Sequence, residues 1–172
     1  PMGGMPVGIK DVIATRGVPT EMGSAAFRGH VPEQSAWVVQ ALADAGAVMF
    51  GKTVSTEFAW RHPGKTRNPW NLSHTPGGSS SGSAAAVAAG CVPVALGTQT
   101  LGSVVRPAAF SGVVGYKPSY GSIPRSGLYE LAHSLDHVGI FARHVTDAAF
   151  VASLLTANDG LDFPRLPMAA PV

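Results

Sequence analysis

Gly77-Gly78-Ser79-Ser80-Ser81-Gly82-Ser83-Ala84-Ala85-Ala86-Val87-Ala88-Ala89-Gly90 passes from a glycine and serine turn straight into small residues. The spacing predicts a helix over Ser83 to Ala89, because alanine has the strongest helix propensity and Gly90 supplies the residue that stops it. Its side chains are too small to bury much surface alone, so such a helix must pack closely against a neighbour. Val92 to Leu96 follows as an apolar strand. Loop, helix and buried strand in direct succession are the unit of an α/β layered domain.

The same alternation extends outward in both directions. Towards the N-terminus, Pro6 to Lys10 reads as a strand and residues 33 to 45 as a helix, with Trp37, Val38, Ala41, Leu42 and Ala45 at helical spacing, Glu33 in the first turn and Gly46 as stop. Ala47 to Phe50 reads as a short buried strand. From Gly64 to Ser83 periodicity gives way to Pro, Gly, Asn and Ser, a long loop of the kind kept for function. Towards the C-terminus, Ser103 to Phe110 reads as a short helix, Val113 to Tyr116 and Val138 to Ala142 as strands, and Thr146 to Thr156 as a helix with Thr146 as N-cap. No internal repeat interrupts the series.

Composition narrows the function classes. The chain has 172 residues, 45% apolar and 13% charged, with a net charge of +2. That length is one domain over 1–172, able to bury a substantial core, and 21 Gly with 14 Pro make it rich in loops without making it disordered. Lys and Arg are scattered singly, which gives nucleic-acid binding no support. A single cysteine, Cys91, forms no internal disulfide. Without a run of about 20 apolar residues or a signal-peptide pattern at Pro1-Met2-Gly3-Gly4-Met5, the expected location is the cytoplasm, with no membrane partner.

Several segments spell chemistry. Gly46 to Thr53 matches the phosphate-binding pattern G-x-x-x-x-G-K-[ST], but its four middle residues are themselves the apolar strand, and a phosphate loop must follow a strand. His133, His137 and His144, with Asp136, raise a metal site; no ligand-rich segment accompanies them, so solvated or hydrogen-bonded histidines and no metal or other cofactor are expected. Two serine clusters, residues 77–83 and Thr100-Leu101-Gly102-Ser103, each stand before a helix whose backbone donors would stabilise negative charge, the setting for an acyl-carrying serine. Gly78 to Gly82 also fits the G-x-S-x-G elbow, with Ser80 central and Asp136 and His144 in triad order. That elbow needs a strand running into the serine, and Asn71 to Pro76 makes none. A histidine-dependent serine esterase using His137 or His144 stays open as the rival, and so does a catalytically silent binding protein.

Gly8-Ile9-Lys10-Asp11, Gly51-Lys52-Thr53, Glu57-Phe58-Ala59, Asn68-Pro69-Trp70-Asn71, Pro76 through Gly90, Gly97-Thr98, Gly102-Ser103, Arg106-Pro107 and Gly115-Tyr116-Lys117-Pro118 occur in one order. Together they resemble the amidase signature family over roughly residues 6 to 156. The resemblance implies an α/β/α sandwich around a mixed β-sheet and a Ser–cis-Ser–Lys triad. By position it makes Ser103 the nucleophile, Ser79 the bridging cis-serine and Lys10 the base. The backbone N–H groups of Thr100, Leu101, Gly102 and Ser103 become the oxyanion hole. The implied reaction is hydrolysis of small-molecule carboxylic amides, and of esters, through a seryl acyl-enzyme.

Ser80 and Arg106 are the candidate substrate-binding residues; Arg106 either offers its planar fork to a carboxylate or ties down a loop. Three features depart from the family pattern. Leu101 replaces a usual glycine, Gln99 an often acidic residue, and the chain is much shorter than the several hundred residues of its members. A shortened core either has an open site or is covered by another polypeptide, for which a homo-oligomer over exposed sheet or active-site edges is the candidate.

Overall fold

The computed structural model of the protein describes residues 1–160. Residues 161–172 of the expected single domain therefore lie outside the described residues. Five strands, β1 (Pro6–Lys10), β2 (Val48–Thr53), β3 (Val94–Gln99), β4 (Val114–Tyr116) and β5 (His137–Ala142), form one sheet in the order β2-β1-β3-β5-β4. The β2-β1 and β1-β3 pairs are parallel, whereas β3-β5 and β4-β5 are antiparallel, so the sheet is mixed. Four helices complete the layers: α1 (Trp37–Asp44), α2 (Ser81–Ala88), α3 (Val105–Ser111) and α4 (Val145–Leu155).

The two-residue period of the strands sorts side chains onto two faces. Val7 and Ile9 of β1, Val94 and Leu96 of β3, and Val138, Ile140 and Ala142 of β5 share one core with Val38 and Leu42 of α1 and Val151 and Leu155 of α4. Ala95 and Phe141 belong to a second core with Ala84 and Val87 of α2, Val104, and Ala108 of α3. The result is an α/β/α sandwich. At about 1.5–3 kcal/mol for each large apolar side chain fully buried, the first core is the main source of stability. The second, built from small residues, lets helices approach the sheet closely.

Gly97 shows how close. A Cβ on it would stand 2.6 Å from Phe141 Cε2 and 2.7 Å from Ser80 Oγ, and one on Gly82 would lie 2.2 Å from Val54 N. Only glycine at both places lets the first turn of α2 rest on the ends of β2 and β3.

Four expectations require correction. Ala47 to Phe50 belongs to an edge strand rather than a buried one: β2 pairs only with β1, and Val48 and Phe50 are 55% and 66% exposed. An apolar run does not tell a central strand from an edge. Helix α1 begins at Trp37 instead of residue 33, because Ala36 N and Trp37 N donate to Ala14 O and Ser126 O, holding the chain in an irregular approach. Helix α4 begins at Val145, so its N-cap is His144 and not Thr146. Strand β3 runs on to Gln99, since its ladder with β5 uses backbone groups and tolerates Gly97, Thr98 and Gln99.

Candidate active site

Lys10 is the last residue of β1. With Val7 and Ile9 in the first core, the period of the strand turns Lys10 towards the opposite, α2 side, where it is fully buried. Its Nζ donates to Ser79 Oγ (2.7 Å), Thr98 Oγ1 (2.8 Å) and Thr98 O (3.4 Å). Burial lowers its pKa from 10.5 to about 7, with the charge of Asp136 opposing the fall. This lysine is therefore half-neutral near pH 7, the condition under which an amine can accept a proton.

Ser79 follows a cis peptide bond from Gly78. The serines after it are each committed. Ser80 Oγ donates to Thr98 O (3.1 Å) and accepts from Thr98 N (3.3 Å); Ser81 Oγ donates to Gly77 O (2.7 Å). Ser83 Oγ donates to Leu96 O (2.8 Å) and lies 2.7 Å from Thr53 Oγ1. Ser80, a candidate for substrate contact, thus spends its buried hydroxyl on the β3 backbone. These bonds fasten the start of α2 to β2 and β3, which fixes Ser79 over Lys10.

Ser103 stands where β3 hands over to α3, buried, and its carbonyl accepts from Ser80 N (3.3 Å). The two serine segments are thereby joined directly. Among the described residues, Ser103 Oγ makes no hydrogen bond, and the N–H groups of Thr100, Leu101, Gly102 and Ser103 donate to none. Unused donors in succession beside a serine can receive an oxyanion. Leu101 keeps a negative φ, so its replacement of glycine is accommodated without a left-handed residue, and its side chain is 75% exposed.

Both ends of this loop are held. Gln99 Oε1 accepts from Val104 N (2.8 Å) and Val105 N (2.9 Å), capping α3 through its amide oxygen. At the other end Thr100 Oγ1 donates to the Asp136 carboxylate. Arg106, one helical turn after Ser103, donates from Nε to Gly78 O (2.9 Å), the carbonyl of the cis peptide. That is the loop tie; the rest of its guanidinium faces solvent. Thr98 has no role legible in the short motif Gly97-Thr98, and only the fold reveals it as the second anchor of Lys10.

The remaining motifs are built into other parts of the fold. Lys52 is a strut from β2: its Nζ donates to Ile13 O, Thr15 Oγ1 (3.1 Å) and Thr20 Oγ1 (2.9 Å), and burial lowers its pKa to about 8 against the pull of Asp11. His133 is paired with Glu130, half-buried His137 sits 3.3 Å from Gln99 O, and His144 is exposed at the start of α4. Among the described residues, no three His, Cys, Asp or Glu side chains gather to hold a metal ion. No described helix is long and apolar enough to cross a membrane. An open cleft of about 320 Å³ between Trp70, His74 and Phe110 contains none of Lys10, Ser79 or Ser103.

The amidase family model matches residues 1–172. This chain belongs to the amidase family. It is 48% identical over 177 residues to the A subunit of glutamyl-tRNA(Gln) amidotransferase from Acidothermus cellulolyticus, covering 99% of this chain and 35% of that protein. The structure of the corresponding amidotransferase polypeptide from Thermotoga maritima superposes with a TM-score of 0.88 at 44% identity, over 92% of this amidase chain and 36% of the other. Peptide amidase from Stenotrophomonas maltophilia gives 0.87 at 42% identity, over 92% and 34%. The chain spans about a third of the length of these relatives.

Proposed function

We propose that this amidase-family chain carries the catalytic core for hydrolysis of carboxylic amides, with Ser103 as nucleophile, Ser79 as relay and Lys10 as base. The observation that carries the reading is a fully buried lysine, lowered to about pKa 7, with Nζ 2.7 Å from the hydroxyl of a cis-linked serine. In the active form Lys10 is neutral and its lone pair accepts the Ser79 proton. Ser103 Oγ bonds to the acyl carbon while its proton passes to Ser79 and the Ser79 proton to Lys10. The carbonyl oxygen becomes an oxyanion among the N–H groups of residues 100–103. As the C–N bond breaks, the proton returns through Ser79 to the leaving nitrogen. Water then attacks the ester of Ser103 by the same relay and releases the acid.

The relatives' names, a peptide amidase and an amidotransferase component, support amide chemistry for the whole protein. Esters are expected to enter the same acyl-enzyme more easily, alkoxide being a better leaving group than amide. Arg106, tied at Nε, is proposed to offer its terminal nitrogens to an acidic substrate. Ser80 is proposed to position the loop from below. A partner polypeptide or a second copy is proposed to cover the apolar edge at Val48 and Phe50, and the cytoplasm is the proposed location.

The histidine rival has no matching geometry: Ser80 Oγ is engaged by Thr98, and the Asp136 carboxylate by Thr100, Leu131 N and Ala132 N. Incubation with a serine-reactive fluorophosphonate, followed by intact mass and peptide mapping, decides among the readings. One adduct on Ser103, lost in Lys10→Ala, is the expected result. An adduct on Ser80 would favour the elbow, and a protein inert towards both probe and anilide is the silent binding protein.

A further inference from the structure

Asp136 is a buried carboxylate at the turn into β5, and it serves no histidine. One oxygen accepts from Thr100 Oγ1; the other accepts from Leu131 N (2.6 Å) and Ala132 N (3.0 Å). It thus joins the loop that ends at Ser103 to the segment 131–136. We infer that Asp136 is a positioning residue of the amidase site, fixing the oxyanion loop through Thr100. The inference rests on the amide-hydrolase reading above.

The geometry divides the loop's anchoring into two parts. Gln99 holds its far end through Val104 N and Val105 N, and neither bond reaches Thr100 or Leu101. Thr100 is fixed through its hydroxyl alone, and the three donors on one carboxylate leave Asp136 little freedom of its own. An N–H group displaced by even part of an ångström from a developing oxyanion loses much of its effect.

The charge of Asp136 also bears on the base. The Asp136 charge raises the pKa of Lys10 against the lowering by burial. Other charges stand nearby. Arg125 Nη1 is 3.5 Å from the Asp136 carbonyl and 3.4 Å from Glu130 Oε1, while Glu130 also pairs with His133. His137, the next residue, is held below its ordinary 6.5 by burial, with Lys117 and Arg125 adding to the effect. On the β1 side, Lys52 and Asp11 face one another at 3.9 Å.

Asp136→Asn and Thr100→Val test the Thr100–Asp136 contact from its two sides. Asn keeps the size of the side chain and removes its charge; Val keeps the charge and removes the hydroxyl that meets it. In kcat/KM against pH with an activated anilide, Asp136→Asn is expected to reduce kcat about tenfold or more and to move the rising limb to lower pH. Thr100→Val is expected to reduce kcat about tenfold, leaving KM and the limb in place. A residue needed only for folding would change the yield and the urea midpoint but neither kcat of the folded protein nor the limb.

Wild-type kcat in folded Thr100→Val, or in folded Asp136→Asn, would overturn the inference. Should Asp136→Asn fail to fold, Thr100→Val decides by itself. Fluorophosphonate labelling of wild-type Ser103 runs alongside: its absence would overturn the amide-hydrolase reading and this inference together, whereas a labelled wild type with unaffected variants would overturn the role of Asp136 alone.

Discussion

Residues 64–75, which mix Gly, Pro, Asn, Ser and Thr with larger side chains, and residues 77–83, all Gly and Ser, both read as loop from the sequence, yet residues 71–75 and 79–83 occupy opposite environments. In the first, Asn71, Leu72, Ser73, His74 and Thr75 are all exposed, and Ser73 Oγ bonds only within its own turn, to Asn71 Oδ1 (2.7 Å) and His74 Nδ1 (3.0 Å). In the second, Ser79, Ser80, Ser81 and Ser83 are buried and each hydroxyl reaches a partner outside its immediate neighbours. The difference lies beneath the loop. Strand ends present carbonyls such as Thr98 O and Leu96 O, and glycines at 82 and 97 clear the space for a small hydroxyl to reach them. A hydroxyl buried with its partner is rigid, whereas one bonded to its own turn in water adds little. Small polar residues thus make either a solvated turn or a buried, hydrogen-bonded layer, and the sheet below decides which.

The contrast is broken most severely by removing the relay. Ser79→Ala is expected to lower kcat/KM for an anilide by about 10³-fold or more; activity within tenfold of wild type would show that the buried loop is structural only. The next effect is on pH. Lys10 has a pKa of about 7 in the folded chain and 10.5 as its ordinary value, so between these the unfolded chain binds a proton that the native chain lacks. Stability therefore rises with pH across that window, and turnover rises through about pH 7. Urea unfolding of wild type and Lys10→Met from pH 7 to 10 should show wild type gaining on the variant as pH increases. A constant difference would mean that burial does not hold the lysine neutral.

A smaller loss follows from Ser80→Ala, which takes the Ser80 acceptor from buried Thr98 N and leaves Thr98 O only its longer contact with Lys10 Nζ; about 1–3 kcal/mol of unfolding free energy is expected to go. The least effect belongs to Ser73→Ala in the exposed loop, within about 0.5 kcal/mol by the same denaturation and without change in turnover. Equal losses at Ser73 and Ser80 would erase the distinction between the two segments.

The element types were legible because period and propensity are local. Val7, Ile9 and Lys10 read as a strand end, the alanines at 84–86 as a helix, and both stand there. The boundaries at α1 and α4 were less legible, since Ala36 N and Trp37 N find acceptors from distant segments and Thr146 lies inside the first turn of α4. For the site, Lys10, Ser79 and Ser103 stood out through an ordered set of short motifs. Thr98 and the clasp of Thr100 by Asp136 did not, because nothing along the chain couples residues 88 or 36 positions apart. Asp136 also illustrates a misleading order: placed before His144 it spells a triad, while its carboxylate meets a threonine and two backbone amides.

By itself the sequence determined the alternation of strands and helices and the amidase resemblance, and it singled out Lys10, Ser79 and Ser103 as candidates, because each depends on residue type and short spacing. Tertiary structure alone decided that β2 is an edge among the described strands, that one serine meets Lys10 while its neighbour is spent on Thr98, and that the lysine is desolvated and its pKa lowered. Those properties depend on what lies across a sheet or beneath a helix. Burial and hydrogen-bond partnership are relations between distant segments, and they exist only once the sheet has brought those segments together.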